Sequence, residues 1–137
     1  MPVLTLSTPA FIGKANVGAG EIMQTHRLVL PGDLNHYGFL FGGRLLAWID
    51  ETSWIAASLD YPHCQFVTVA MDRVEFHHSV RDGTILRISC IREREGTTST
   101  TYAVTVIDEK SGENPIFSTR VTFVSVNDAG QKTRIRG

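Results

Sequence analysis

Residues 42–58 read Gly-Gly-Arg-Leu-Leu-Ala-Trp-Ile-Asp-Glu-Thr-Ser-Trp-Ile-Ala-Ala-Ser. The run is rich in Leu and Ala and free of Pro, and its length predicts a helix rather than a strand. Gly42-Gly43 opens it. Tyr61-Pro62 ends it, because Pro disfavours helical geometry in the residue before it. This is the only long helical pattern in the chain, so everything around it has to be read as what the helix packs on.

Helical residues are spaced by about 100°, and the wheel separates two neighbouring acids. Glu51 aligns with Arg44 and Ser58 and belongs to a solvated stripe. Asp50 shares its face with Gly43, Leu46, Ala47, Trp54 and Ala57, all small or apolar. It also lies about two turns in, beyond the reach of the helix dipole's first turn. A carboxylate on such a face is expected to be buried. It is then either a satisfied structural acceptor or a functional acid or base. Periodicity alone leaves both open.

The loop before the helix adds partners. Asn35 offers an amide donor and an acceptor. Gly42-Gly43 lets a ligand approach the backbone, and the first N–H groups of a helix are unsatisfied and suited to an oxyanion. Each feature has an ordinary structural explanation, a turn residue or a tight helix entry, but one short segment combines all three.

Outward from the helix the pattern is strand-like. Glu21 to Leu30 precedes it. Phe66 to Phe76, a stretch from Ile85 past Ile91 to a break at Glu95-Gly96, residues 97–108 and Pro115 to Val126 follow it, with turns at Arg81-Asp82-Gly83 and at residues 110–113. One helix among antiparallel strands is an α+β layout in which the helix packs on a single sheet. Residues 1–20 are expected to form a flexible N-terminal arm, 21–127 the domain, and 128–137 a C-terminal tail. Lys132, Arg134 and Arg136 in that tail read as a solvated terminus.

The 137 residues suit one domain, and 13 Lys and Arg against 14 Asp and Glu give a net charge of −1. That balance carries no nucleic-acid footprint. Cys64 and Cys90 make no disulfide framework or metal set. No run reaches a membrane span, and the first residues lack a secretory signal's basic region and apolar run. The expectation is a cytoplasmic protein with reduced thiols, binding neither nucleic acid nor membrane. His77-His78 point to opposite faces of a strand and do not chelate one ion.

The segment Gly32-Asp33-Leu34-Asn35-His36-Tyr37-Gly38-Phe39-Leu40-Phe41-Gly42-Gly43, followed by Asp50, resembles hotdog-fold acyl-CoA thioesterases of the YciA-like and brain acyl-CoA hydrolase group. Val67-Thr68-Val69-Ala70, Asp72-Arg73-Val74-Glu75-Phe76, Asp82-Gly83 and Gly96-Thr97-Thr98-Ser99 add support. The resemblance covers roughly residues 21–127 and implies a sheet wrapped around the central helix. It also implies a dimer, extended in some members to a trimer of dimers or a dimer of dimers, with active sites at the subunit interface. It carries Asp50 over as general base or nucleophile, Asn35 as the group positioning water or carbonyl, the Gly43 N–H as oxyanion donor and Thr68 as an orienting hydroxyl. Gly42, Phe41, Gly96, Thr97, Thr98 and Ser99 become the expected contacts to substrate and CoA. CoA enters as part of the substrate, with no separate cofactor and no metal. Phe41 stands where the brain enzyme's relatives have His, so no catalytic His is implied there, and His36 has no counterpart in the pattern. Trp48, Trp54, Phe39 and Phe41 are expected mainly in the core.

Two other functions compete. A hotdog enoyl-CoA hydratase or dehydratase matches Gly32-Asp33-Leu34-Asn35 in part but lacks the Pro after Asn35 and the His downstream. A non-catalytic acyl-CoA-binding module has no use for a carboxylate on an apolar helix face.

Overall fold

The computed structural model describes residues 21–112 and 114–136; the expected N-terminal arm lies outside them. The chain runs β1 (Met23–Leu28), a short 3-10 turn at Pro31–Asp33, α1 (Gly42–Asp60), β2 (Phe66–Phe76), β3 (Ile85–Glu95), β4 (Ser99–Asp108) and β5 (Pro115–Ser125). The five strands form one antiparallel sheet in the order β1-β3-β4-β5-β2. The helix packs across β2, β3, β4 and β5. This is the hotdog fold that the resemblance implies.

Alternation sets the core. Leu86, Ile88 and Cys90 of β3 and Tyr102, Val104 and Val106 of β4 point inward with Phe117, Val121 and Phe123 of β5. Successive strand residues face opposite sides, so one face of each strand supplies the core. From the helix come Leu45, Trp48, Ile49, Thr52, Ser53, Ala56 and Ala57. Thr52 and Ser53 are buried without penalty because their hydroxyls donate to the carbonyls of Trp48 and Ile49, at 2.7 and 2.8 Å.

This core stripe is rotated away from the face that the wheel singled out. Gly43, Ala47 and Trp54 are exposed and Asp50 is only half-buried. The wheel detects an apolar face; it does not say what covers it. Of the four aromatics expected in the core, only Trp48 is buried there; Trp54 and Phe41 are 44% and 58% exposed. Glu51 lies on a solvent flank as expected, paired at 2.6 Å with Arg27 of β1, while Arg44 pairs with Asp33.

Strand β2 is the outlier. It closes one edge of the sheet, and of its eleven residues only Phe66 is buried. Val67, Val69, Val74 and Phe76 are each more than 40% exposed. Its ladder with β5 slips between Thr68 and Ala70 and between Asp72 and Glu75. In the second slip Arg73 adopts φ 61°, alone among the described non-glycine residues in having positive φ, and the Asp72 carbonyl accepts from Thr119 Oγ1 at 2.6 Å.

The tail folds back. Ile135 is 1% exposed, and its N–H donates to the Thr97 carbonyl. Arg136 makes two hydrogen bonds to Glu95, at 2.6 and 3.0 Å. The tail is thus docked against the β3–β4 turn through Ile135 and Arg136, while Lys132, Arg134 and Arg136 are exposed, as expected of a solvated charged segment.

Candidate active site

The helix begins without a cap: Phe41 at the N-cap makes no side-chain hydrogen bond, and the first turn holds no acid. The Phe41 carbonyl accepts from Arg44 N and Leu45 N, so the first N–H groups, those of Gly42 and Gly43, are the ones left for a ligand. A side chain at either glycine would press on a neighbouring ring. A Cβ at Gly42 would meet the Phe76 ring at 3.1 Å, and one at Gly43 the Phe41 ring at 3.2 Å.

Asn35 sits just ahead. Its Oδ1 accepts from the N–H groups of Tyr37 and Phe39 at 2.9 and 3.2 Å, an Asx turn that fixes the side chain and leaves the amide as donor. Asn35, Gly42, Leu45, Phe76, His78 and Val80 line a cavity of about 230 Å³ at the helix opening. Arg81 stacks on Phe39, another lining residue, at 4.8 Å. His36 stacks on Tyr37 at 4.0 Å and is no part of this cavity.

Asp50 lies eight residues past Gly42, about 12 Å along the helix axis. Its Oδ1 accepts from Thr68 Oγ1 of β2 at 2.7 Å. The structure brings Thr68 to Asp50 and Asn35 to Gly42. Asp50 does not line the cavity of Asn35.

The Gly96–Ser99 turn lies at the other end of the helix. Gly96 and Thr97 are exposed. The carbonyls of Thr97 and Thr98 are committed to Ile135 N and Ser125 N, leaving side-chain hydroxyls for any ligand. Below the turn a polar network closes the helix. Tyr61, 1% exposed, donates to Glu95 and accepts from Arg92 at 3.0 Å. Arg136 and Arg92 flank its ring at 5.4 and 5.6 Å. The Arg136 hydrogen bond holds Glu95 below the usual carboxylate range, and burial raises the Tyr61 phenol. Burial and the hydrogen bond to Asp60, at 2.6 Å, also push the Tyr102 phenol up. Among the described residues no three His, Cys, Asp or Glu gather as metal ligands, and no helix is long and apolar enough to cross a membrane.

Sequence reasoning missed the cavity wall of Phe76, His78, Ser79, Val80 and Ile116. Phe76 enters the sequence reading only as the end of a strand and of a supporting match, which carries no signal for a cavity.

A family model described as the thioesterase superfamily matches residues 37–114, a span that includes Gly42, Gly43, Asp50, Thr68 and the Gly96–Ser99 turn. The chain belongs to the thioesterase superfamily. This superfamily member is 32% identical over 116 residues to the uncharacterized acyl-CoA thioester hydrolase YkhA of Bacillus subtilis, covering 81% of the chain and 65% of that protein. It is 34% identical to mouse acyl-coenzyme A thioesterase 11 over 64% of the chain but 14% of that protein. The chain thus spans less than two thirds of these curated relatives. Among solved structures it is similar to the acyl-CoA hydrolase from Staphylococcus aureus in complex with butyryl coenzyme A, coenzyme A and coenzyme A disulfide. There the TM-score is 0.72 and the identity 32%, over 82% of the chain and 68% of that one. The hexameric thioesterase y2039 from Yersinia pestis gives a TM-score of 0.74 at 27% identity, over 82% and 93%.

Proposed function

We propose that the protein is an acyl-CoA thioesterase acting as a dimer or a larger assembly of dimers, with CoA as part of its substrate and no separate cofactor. The observation that carries this reading is the division of the site along β2. Asp50 is tied to Thr68, near the start of the strand, and Asn35 shares a cavity with Phe76, at its end. Two copies paired through β2 about a two-fold axis run antiparallel. The start of one strand then lies against the end of the other, and the carboxylate of one copy reaches the cavity of its mate. Exposed Val67, Val69, Val74 and Trp54 are the apolar surface such pairing covers. The same pairing carries the Gly96–Ser99 turn toward the mate's cavity as a surface for CoA, beside Phe41 and Gly42.

In this site the thioester carbonyl lies at the helix opening, its oxygen on the Gly43 N–H. Asn35 positions the water or the carbonyl. Thr68 holds the Asp50 carboxylate by Oδ1, leaving Oδ2 to take a proton from water or to attack the carbonyl carbon itself. Negative charge developing on the oxygen is met by the N–H and the positive end of the helix. With Asp50 as base, collapse of the tetrahedral intermediate expels the CoA thiolate, which takes up the proton held by Asp50, and leaves the free acid. With Asp50 as nucleophile, collapse expels CoA and leaves an acyl-aspartyl anhydride, which a water molecule then hydrolyses to the free acid.

Thiol release from a panel of acyl-CoAs tests the reading. Asp50→Asn is expected to lose about 100-fold or more of kcat, the scale of a general base. Asp50→Asn mixed with Asn35→Ala, with subunit exchange, should recover about a quarter of wild-type activity, because half the dimers then hold one intact site. Full activity in Asp50→Asn would sink its assignment, and absence of recovery would sink the shared site. Hydration of an enoyl-CoA would favour the hydratase, and binding without turnover the binding module.

A further inference from the structure

The cavity that holds Asn35 also limits what can enter it. Apart from Asn35, His78 and Ser79, its lining is the Gly42 backbone and the apolar side chains of Phe39, Leu40, Leu45, Phe76, Val80 and Ile116. Its volume, about 230 Å³, falls below the roughly 300–1,000 Å³ of pockets for drug-sized ligands. A pocket of that size suits a short or medium alkyl chain better than a drug-sized group. Phe76 is one wall of this space. Its ring packs at 5.0 Å from that of Phe117 and lies against Gly42, so it is braced by the core on one side and the helix backbone on the other.

Beyond His78, Ser79, Val80 and Ile116 lies a second cavity of about 400 Å³, whose remaining lining is Thr84, Asp108, Ser111 and Asn114. Where the two cavities share their wall, an alkyl chain that outgrows the first passes into polar surroundings that include the Asp108 carboxylate, and against Phe76 it has to displace the ring. Neither repays the chain for leaving water.

We infer that Phe76 is a specificity-determining residue that restricts the site to short and medium straight-chain acyl groups. The inference rests on the acyl-CoA thioesterase reading and adds the substrate range of that site. Each buried methylene improves binding about fourfold, so the preference rises with chain length until the cavity is full and then falls.

The test is kcat and KM for the full chain, its Phe76→Ala and its Phe76→Leu variants on straight acyl-CoAs from acetyl to hexadecanoyl, read as thiol release. For the wild type, kcat/KM should climb to hexanoyl or octanoyl and drop at least tenfold by dodecanoyl. Phe76→Ala should raise the ratio of dodecanoyl to butyryl kcat/KM at least tenfold, mainly through KM, with Phe76→Leu in between. Because Phe76 is 49% exposed, the Leu variant is expected to fold, and thermal melting checks both. A wild type that takes dodecanoyl as well as hexanoyl overturns the inference, as does a length profile that neither variant shifts. If no acyl-CoA is hydrolysed, the thioesterase reading fails, and calorimetric Kd values for the same series then decide whether Phe76 sets a length limit on binding.

Discussion

The two ends of the central helix are built on opposite plans. At its opening, Gly42 and Gly43 leave backbone donors uncapped beside a cavity, and the surrounding rings of Phe41 and Phe76 are half exposed or more. At its close, Tyr61 is wedged under Glu95, Arg92 and Arg136, and Tyr102 ties down Asp60. An acid at a helix C-terminus opposes the dipole, and the Tyr102 hydroxyl offsets that cost. One end keeps its polar groups available, while the other spends them on itself. The lesson is that polar groups near a helix end indicate chemistry only where their partners are missing.

That contrast can be broken from either side. The largest effect is expected from Tyr61→Ala, which removes a fully buried ring and should cost about 3–5 kcal/mol of stability. Thermal melting should fall by on the order of 10 °C, with kcat per folded molecule kept. Loss of turnover in the folded fraction would show that the closed end takes part in the chemistry after all. At the open end Gly42→Ala should do the reverse. The new Cβ crowds the Phe76 ring, and Ala at the first helical position gains less than the roughly 1 kcal/mol it has over Gly in a helix interior. Stability should hardly change, and kcat/KM should fall roughly tenfold. The smallest effect concerns Glu95. Its pKa is depressed by Arg136, so the pairing contributes stability at pH values above the unfolded carboxylate pKa of about 4.3. That contribution is lost as pH falls through the folded value. Glu95→Gln should therefore melt within about 1 kcal/mol of wild type at pH 7 and lose less stability than wild type between pH 5 and pH 3. Parallel melting curves for the two over that range would remove the charge pairing from the account.

The open end was largely legible in the sequence, and the closed end was not. Asn35, Gly42, Gly43 and Asp50 lie within sixteen consecutive residues, one loop and the helix it opens, so their relation is local. Thr68 is the exception: only the resemblance proposed it, as a group orienting the water or Asp50, and its hydroxyl lies 2.7 Å from Asp50 Oδ1. Tyr61, Glu95 and Arg136 are joined across 34 and 41 positions, a separation that no periodicity spans. The strand pattern gave the sheet because alternation in β3, β4 and β5 follows burial closely. In β2 the same residue types are nearly all exposed, since alternation records a preference for burial and not the identity of the surface that satisfies it. Asp50 was misjudged for that reason: its apolar face belongs to the edge of the fold rather than to its centre.

The slip in β2 reaches beyond this molecule to its variants. Arg73 has a side chain 74% exposed, so a tally of exposure would rank the position among those free to drift. Its backbone sits in the left-handed region, where β-branched residues are strained and Gly, Asn and Asp are favoured. Across descendants of this chain, position 73 should admit Gly, Asn or Asp and exclude Val and Ile, a constraint inherited from a dihedral angle instead of a contact.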